Sequence, residues 1–180
     1  AHIFLQFYRE NAEYLERIGA PLQGVNADLG KGTVIDGWGF LDSVSGIEGI
    51  AGSHFAAILT GDSLANQLYG DDGNDTLTGG GGSDGLTGGA GRDTAVFAGA
   101  SAGYRVVDAG NGIVTVIDTD PANGDEGSDS LFGVEVLRFA DREFGIGSDP
   151  ASSEVFDLTG PGGGTVEGGT GDDLYIVDDP

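Results

Sequence analysis

Residues 61–96 read as four consecutive nonapeptides: Gly61–Tyr69 (GDSLANQLY), Gly70–Thr78 (GDDGNDTLT), Gly79–Thr87 (GGGGSDGLT) and Gly88–Val96 (GGAGRDTAV). Each opens on glycine, carries Asn66, Asp75, Asp84 or Asp93 at its sixth position, and has an apolar residue at its eighth. Upstream, Gly52–Thr60 (GSHFAAILT) keeps the frame but has Ala57 where the acid belongs. Glycine admits turn conformations that a side chain forbids. The regular return of an acid therefore puts carboxylates into a regular series of turns.

This pattern, G-G-x-G-x-D-x-U-x, resembles the calcium-binding nonapeptide of the RTX (repeats-in-toxin) family, closely in three units and partly in Gly61–Tyr69. A six-residue turn followed by a three-residue strand brings the chain back after two units. Turns 18 residues apart then stack on one edge of a parallel β-roll. Leu59, Leu68, Leu77, Leu86 and Ala95 are expected to point inward, and the sixth-position acids to line the edges. One leucine per glycine-rich unit offsets little of the backbone entropy lost on ordering it. Two carboxylates about 4 Å apart also repel by about 4 kcal/mol at an effective dielectric near 20. A cation between the turns reverses that sign, so metal is expected to fold the roll.

Carboxylates with backbone carbonyls, and no cysteine or clustered histidine, make a hard-oxygen site that suits calcium better than octahedral magnesium. The resemblance implies an ion between stacked turns. One turn supplies carbonyls from its second and fourth positions, the next from its first and third, and both sixth-position side chains join. Carried over, one site takes the carbonyls of Asp71, Gly73, Gly88 and Ala90 with Asp75 and Asp93; Asp72 lies beside it. The opposite edge takes the carbonyls of Asp62, Leu64, Gly79 and Gly81 with Asn66 and Asp84, and Asn66 weakens that site. A third pairing, of Gly70 and Asp75 with the turn Ser53–Ala57, lacks a carboxylate at Ala57. Two isolated copies of the turn, Gly124–Asp129 and Gly168–Asp173, make Asp129 and Asp173 weaker metal candidates without a visible stacking partner.

The resemblance extends to most of Val25–Phe144. Residues 25–60 look like a lead-in. Gly88–Gly99, a hairpin, Gly127–Glu135 and Leu137–Asp141 look like the segment that often follows such repeats. The hairpin is Tyr104–Asp108 and Ile113–Asp118 around Gly110-Asn111-Gly112, where Asn-Gly suits a tight turn. A long-range echo links Asp42–Glu48 (DSVSGIE) with Asp129–Glu135 (DSLFGVE). At the N-terminus, Ile3, Phe4, Phe7, Tyr8, Tyr14, Leu15 and Ile18 recur at helical spacing, and Gly19 and Pro21 close an amphipathic helix over residues 1–19. That helix covers a sheet end or, alternatively, meets a partner.

The chain of 180 residues has 36 glycines and 30 acidic against 7 basic residues, a net charge of -23. Such a charge repels nucleic acid and anionic lipid and favours multivalent cations. The plainer alternative is an acidic surface serving solubility or salt tolerance, against which stands the fixed spacing of the acids. Without cysteine there is no disulfide framework, which leaves metal as the staple. No apolar run approaches a membrane span and no signal peptide is visible. Beginning at Ala1-His2 and stopping at Asp179-Pro180, the chain reads as a piece of a larger protein.

Catalytic chemistry finds no support. His2 and His54 are far apart and form no H-E-x-x-H helix, and Pro161–Thr165 lacks the lysine of a phosphate loop. Carboxylate pairs are inevitable among so many acids and identify no glycosidase. Asp-Pro pairs at Pro121, Pro150 and Pro180 read as turns rather than self-cleavage sites, and Trp38 and Phe40 as core anchors rather than a ligand platform.

The expected fold is mainly β: a parallel β-roll with flanking antiparallel hairpins and one N-terminal helix. Its divisions are helix and linker (1–24), lead-in (25–60), nonapeptide roll (61–97), cap with hairpin (98–147) and a Gly/Asp-rich tail (148–180). The expected function is a non-enzymatic, calcium-driven folding and stability module of a larger extracellular bacterial protein, with type I secretion implied by the resemblance. The alternatives are an adhesin or polysaccharide-binding module, and an accessory region of a secreted enzyme.

Overall fold

The computed structural model describes residues 2–4, 23–108, 112–120, 122, 124–146, 155–158, 165–167 and 174–177. Short β-branched and leucine-centred segments between glycine turns make strands of three to six residues. They begin with β1 (His2–Phe4), β2 (Asn26–Asp28), β3 (Thr33–Ile35), β4 (Leu41–Ser43), β5 (Gly49–Ser53) and β6 (Ile58–Thr60). The array holds β7 (Gln67–Asp72), β8 (Thr76–Thr78), β9 (Gly85–Ala90) and β10 (Thr94–Val96). A 3-10 turn at Ser101–Gly103 precedes β11 (Tyr104–Asp108), β12 (Ile113–Asp118), β13 (Ser128–Phe132), β14 (Val136–Arg138) and β15 (Glu143–Gly145). Last come β16 (Val155–Leu158), β17 (Thr165–Glu167) and β18 (Leu174–Val177).

The protein is mainly β, with parallel strands at the centre of two sheets. One runs β1-β5-β7-β9-β13-β12-β11-β17 and the other β15-β14-β10-β8-β6-β2-β3-β4, while β16 and β18 pair in parallel by themselves. From β5 to β10 successive strands alternate between the two sheets, and within that run each pairs with a strand two units away. The registers Ile50↔Leu68, Leu68↔Leu86, Leu59↔Leu77 and Ala95↔Leu77 all step by 18 residues. A straight apolar row results in each sheet. Ala27, Leu59, Leu77, Ala95 and Leu137 form one, Ile50, Leu68, Leu86 and Leu131 the other, and every member is at most 3% exposed.

Antiparallel strands flank the stack, β2-β3-β4 at one end and β11-β12-β13 with β14-β15 at the other. Phe97, Tyr104, Phe139 and Phe144 close the second end, with ring centroids 5.0–5.7 Å apart.

Two expectations need correction. The N-terminal helix is not seen: His2–Phe4, at its start, form a strand on β5, and residues 5–22 lie outside the described residues. Backbone pairing on an open sheet edge satisfies that segment where helical spacing alone read otherwise. Phe40 is no core anchor, being 67% exposed in a turn where the Asp36 carboxylate accepts its N–H and that of Trp38. The sixth-position side chains lie on the rims but turn inward and are fully buried, Asn66 and Asp93 at 0%, Asp75 at 1% and Asp84 at 3%.

Candidate calcium site

Backbone donors hold each buried acid. Asp75 Oδ1 accepts the Ala57 N–H at 2.7 Å, Asp93 Oδ1 accepts that of Asp75 at 2.8 Å, and Asp84 Oδ1 accepts that of Asn66 at 2.7 Å. Each carboxylate thus reaches back one full turn of the stack. Its second oxygen has no partner: Oδ2 of Asp75, Asp84 and Asp93 are buried without a hydrogen bond. Leaving a buried carboxylate oxygen unsatisfied is strongly unfavourable.

These orphan oxygens sit in cradles that only glycine leaves open. A methyl group on Gly70 would lie 2.2 Å from Asp75 Oδ2 and 2.4 Å from the Gly88 carbonyl oxygen. One on Gly88 would lie 2.5 Å from Asp93 Oδ2 and 2.0 Å from the Gly133 carbonyl oxygen. A methyl on Gly79 would lie 2.2 Å from Asp84 Oδ2, with only Asp84 atoms nearest to it. At Gly70 and Gly88 a carboxylate oxygen and a carbonyl of the next turn therefore converge on one point. The carbonyls of Asp71 and Gly73 stack against Gly89 and Gly91, where an added methyl would meet them at 1.9 and 1.6 Å. The carbonyl of Ala90 accepts the Gly73 N–H at 2.8 Å and keeps its second lone pair.

On the opposite edge, the Asp62 carbonyl accepts the Gly81 N–H at 2.8 Å, and the Leu64 carbonyl packs on Gly82. Asn66 Oδ1 accepts the Asp62 N–H at 2.8 Å and converges with the Gly79 carbonyl on the Gly61 cradle. Its Nδ2, a donor, is buried without a partner, which disfavours a cation there. The pairing with Ser53–Ala57 is closed: a methyl on Gly52 would meet the Ala57 Cβ at 3.0 Å, where other turns present an oxygen. Asp72 is drawn off to the His54 Nδ1.

Burial raises these acids. Asp75 is pushed up to about 6, by desolvation first and then by the charges of Asp93, Asp71 and Asp72. Asp84 and Asp93 rise for the same leading reason. Among the described residues no three His, Cys, Asp or Glu side chains converge on one point. A cation here would be held by one or two carboxylates and several carbonyls, a many-oxygen site of the kind calcium accepts. Buried orphan oxygens lying against glycines fit such an ion.

Sequence reading alone missed two rim residues, Glu48 and Glu135, and left Asp129 a weaker candidate without a partner. Asp129 is 2% exposed, and its Oδ1 accepts the Asp84 N–H at 2.8 Å. The turn Gly124–Asp129 therefore does have a stacking partner, 45 residues earlier, which corrects the reading of it as isolated. Glu135 Oε2 accepts the Asp93 N–H at 2.7 Å, and the Glu48 carbonyl accepts the Gln67 N–H at 2.7 Å. The echo of Gly46-Ile47-Glu48 in Gly133-Val134-Glu135 was the available signal, since both run directly into strands of the stack. Asp173 lies outside the described residues; Leu174, which follows it, pairs in parallel with Val155.

Stacked parallel strands with carboxylate–carbonyl cradles at their turns define a calcium-binding β module. Residues 60–95 match the family model of the RTX calcium-binding nonapeptide repeat, in four copies, so this segment is a run of RTX repeats. No curated protein matches the chain. No helix among the described residues is long and apolar enough to cross a membrane.

Proposed function

We propose that the array is a parallel β-roll that folds on calcium and serves as a non-catalytic folding and stability module of a larger secreted bacterial protein. The orphaned Oδ2 atoms of Asp75, Asp84 and Asp93 carry this reading, because a buried unpaired carboxylate favours folding only once a cation reaches it. Calcium is scarce in the cytosol and abundant outside the cell. The chain would pass through export, by the type I route its family resemblance implies, without folding. The free energy of binding would then become free energy of folding. Millimolar calcium should add β signal and a sharper, higher melting transition, and a chelator should remove both. Circular dichroism that does not change across that titration would refute the reading.

A second reading, a polysaccharide-binding face, draws on one row of the first sheet. Tyr69 and Phe132, 36% and 56% exposed, flank Thr87 there. Two strand spacings separate the rings by about 9–10 Å, within reach of successive sugars. Loss of retention on immobilised glycans in Phe132→Ala, with the calcium response intact, is its test.

A further inference from the structure

The match to the repeat family stops at residue 95, yet the stack does not. Strand β13 continues the first sheet in parallel with β9 (Ser130↔Gly85, Leu131↔Leu86), and Gly124–Phe132 (GDEGSDSLF) keeps the nonapeptide frame. Within the array the step along a rim is 18 residues; from Asp84 to Asp129 it is 45 and from Asp93 to Glu135 it is 42, because the hairpin β11-β12 is inserted between β10 and β13. The two turns nevertheless interleave. A methyl on Gly127 would lie 1.8 Å from the Gly82 carbonyl oxygen, and one on Gly81 would lie 3.2 Å from that of Asp125. Asp84, 97% buried, keeps its Oδ2 unpartnered in the Gly79 cradle. At Gly61, Gly70 and Gly88 such a cradle also meets a carbonyl oxygen of the next turn, at 2.0–2.4 Å; at Gly79 the nearest atoms all belong to Asp84, and the turn stacked next is Gly124–Asp129 through the Asp84 N–H.

The same turn holds the insertion. Glu126 accepts the Tyr104 hydroxyl proton and the Ala98 N–H, and its own N–H donates to Asp118 Oδ2 at 3.1 Å. Ion pairs among the described residues lie elsewhere, at Asp28, Asp71, Asp72, Asp141 and Glu143, and bring no basic group to Asp84, Asp118, Glu126 or Asp129. Closing so long a loop loses chain entropy, and stacking the turns gathers like charges.

We propose that the turns Gly79–Asp84 and Gly124–Asp129 close a discontinuous calcium site through Asp84, Asp129 and carbonyls such as that of Gly82, and that filling it latches the inserted hairpin onto the roll. The inference rests on the calcium reading of the array. Its test compares the full chain with Asp129→Asn, which keeps the acceptor for the Asp84 N–H, with calcium or chelator, by calorimetric stoichiometry and amide hydrogen exchange. Calcium should slow exchange in β11 and β12 about tenfold or more in the parent chain. Asp129→Asn should bind one ion fewer and lose that slowing, while β7 and β8 still gain protection. Equal stoichiometry and equal slowing in both chains overturn the latch. An array whose β7 and β8 exchange ignores calcium overturns the underlying reading instead. An independent measurement uses the parent chain alone: in a calcium titration followed by NMR, the Gly82 and Gly127 amides should shift together. Gly127 unmoved while Gly73 and Gly91 shift sinks the latch and leaves the array reading standing.

Discussion

At the scale of single residues, a buried carboxylate with one oxygen satisfied and one bare is poised between proton and metal. Asp75 at about 6 and Asp129 at about 7 bind protons more tightly folded than unfolded, where the value is near 3.8. The metal-free fold therefore gains stability as pH falls from about 7 toward 4 and loses it as pH rises through 6 to 7. Melting in chelator across that range should show the rise toward acid, while calcium affinity falls over the same interval because protons and calcium compete for the same oxygens. Asp75→Asn should weaken calcium binding by about tenfold or more, and Asp42→Asn, on an exposed strand, should leave it unchanged in the same titration. Asn66→Asp should act oppositely. It replaces an orphan donor with an oxygen, so calorimetry should show tighter calcium binding, and melting in chelator a lower transition.

At the scale of turns and strands, the first glycine of each unit decides whether a cation can enter. Gly70→Ala places a methyl 2.2 Å from Asp75 Oδ2, so it should abolish much of the calcium-induced rise in melting temperature. Gly145→Ala, whose nearest neighbour would be 4.0 Å away, should preserve it. Leu77, fully buried in the row of the second sheet, tests the other half of each unit. Leu77→Ala should lower stability by about 2–5 kcal/mol in denaturant titrations of the calcium-loaded protein. Nine-residue spacing made the Leu and Asp positions legible together, because strand and turn alternate with that period. The end of the array was not legible in the same way. Asp129 and Glu135 join the rims across 45 and 42 residues, and their partners are set by where the hairpin returns rather than by local spacing.

For the whole molecule, a net charge of -23 opposes compaction until something neutralises it. Sodium chloride should therefore raise the melting temperature of the metal-free chain by screening, and raise that of the calcium-loaded chain much less. Equal salt dependence in the two states would show that calcium leaves the buried acids uncompensated.

Sequence alone determined the repeat, its calcium chemistry and the inward leucines, because glycine, acid and leucine at fixed intervals permit few other arrangements. It did not determine that the acids turn inward and lose water, since burial depends on the turns stacked above and below. Only the tertiary structure decided that the N-terminal segment opens as a strand and that a distant turn continues the stack. Each of these is a contact between residues far apart in the chain, and spacing along a chain carries no record of which distant surfaces meet.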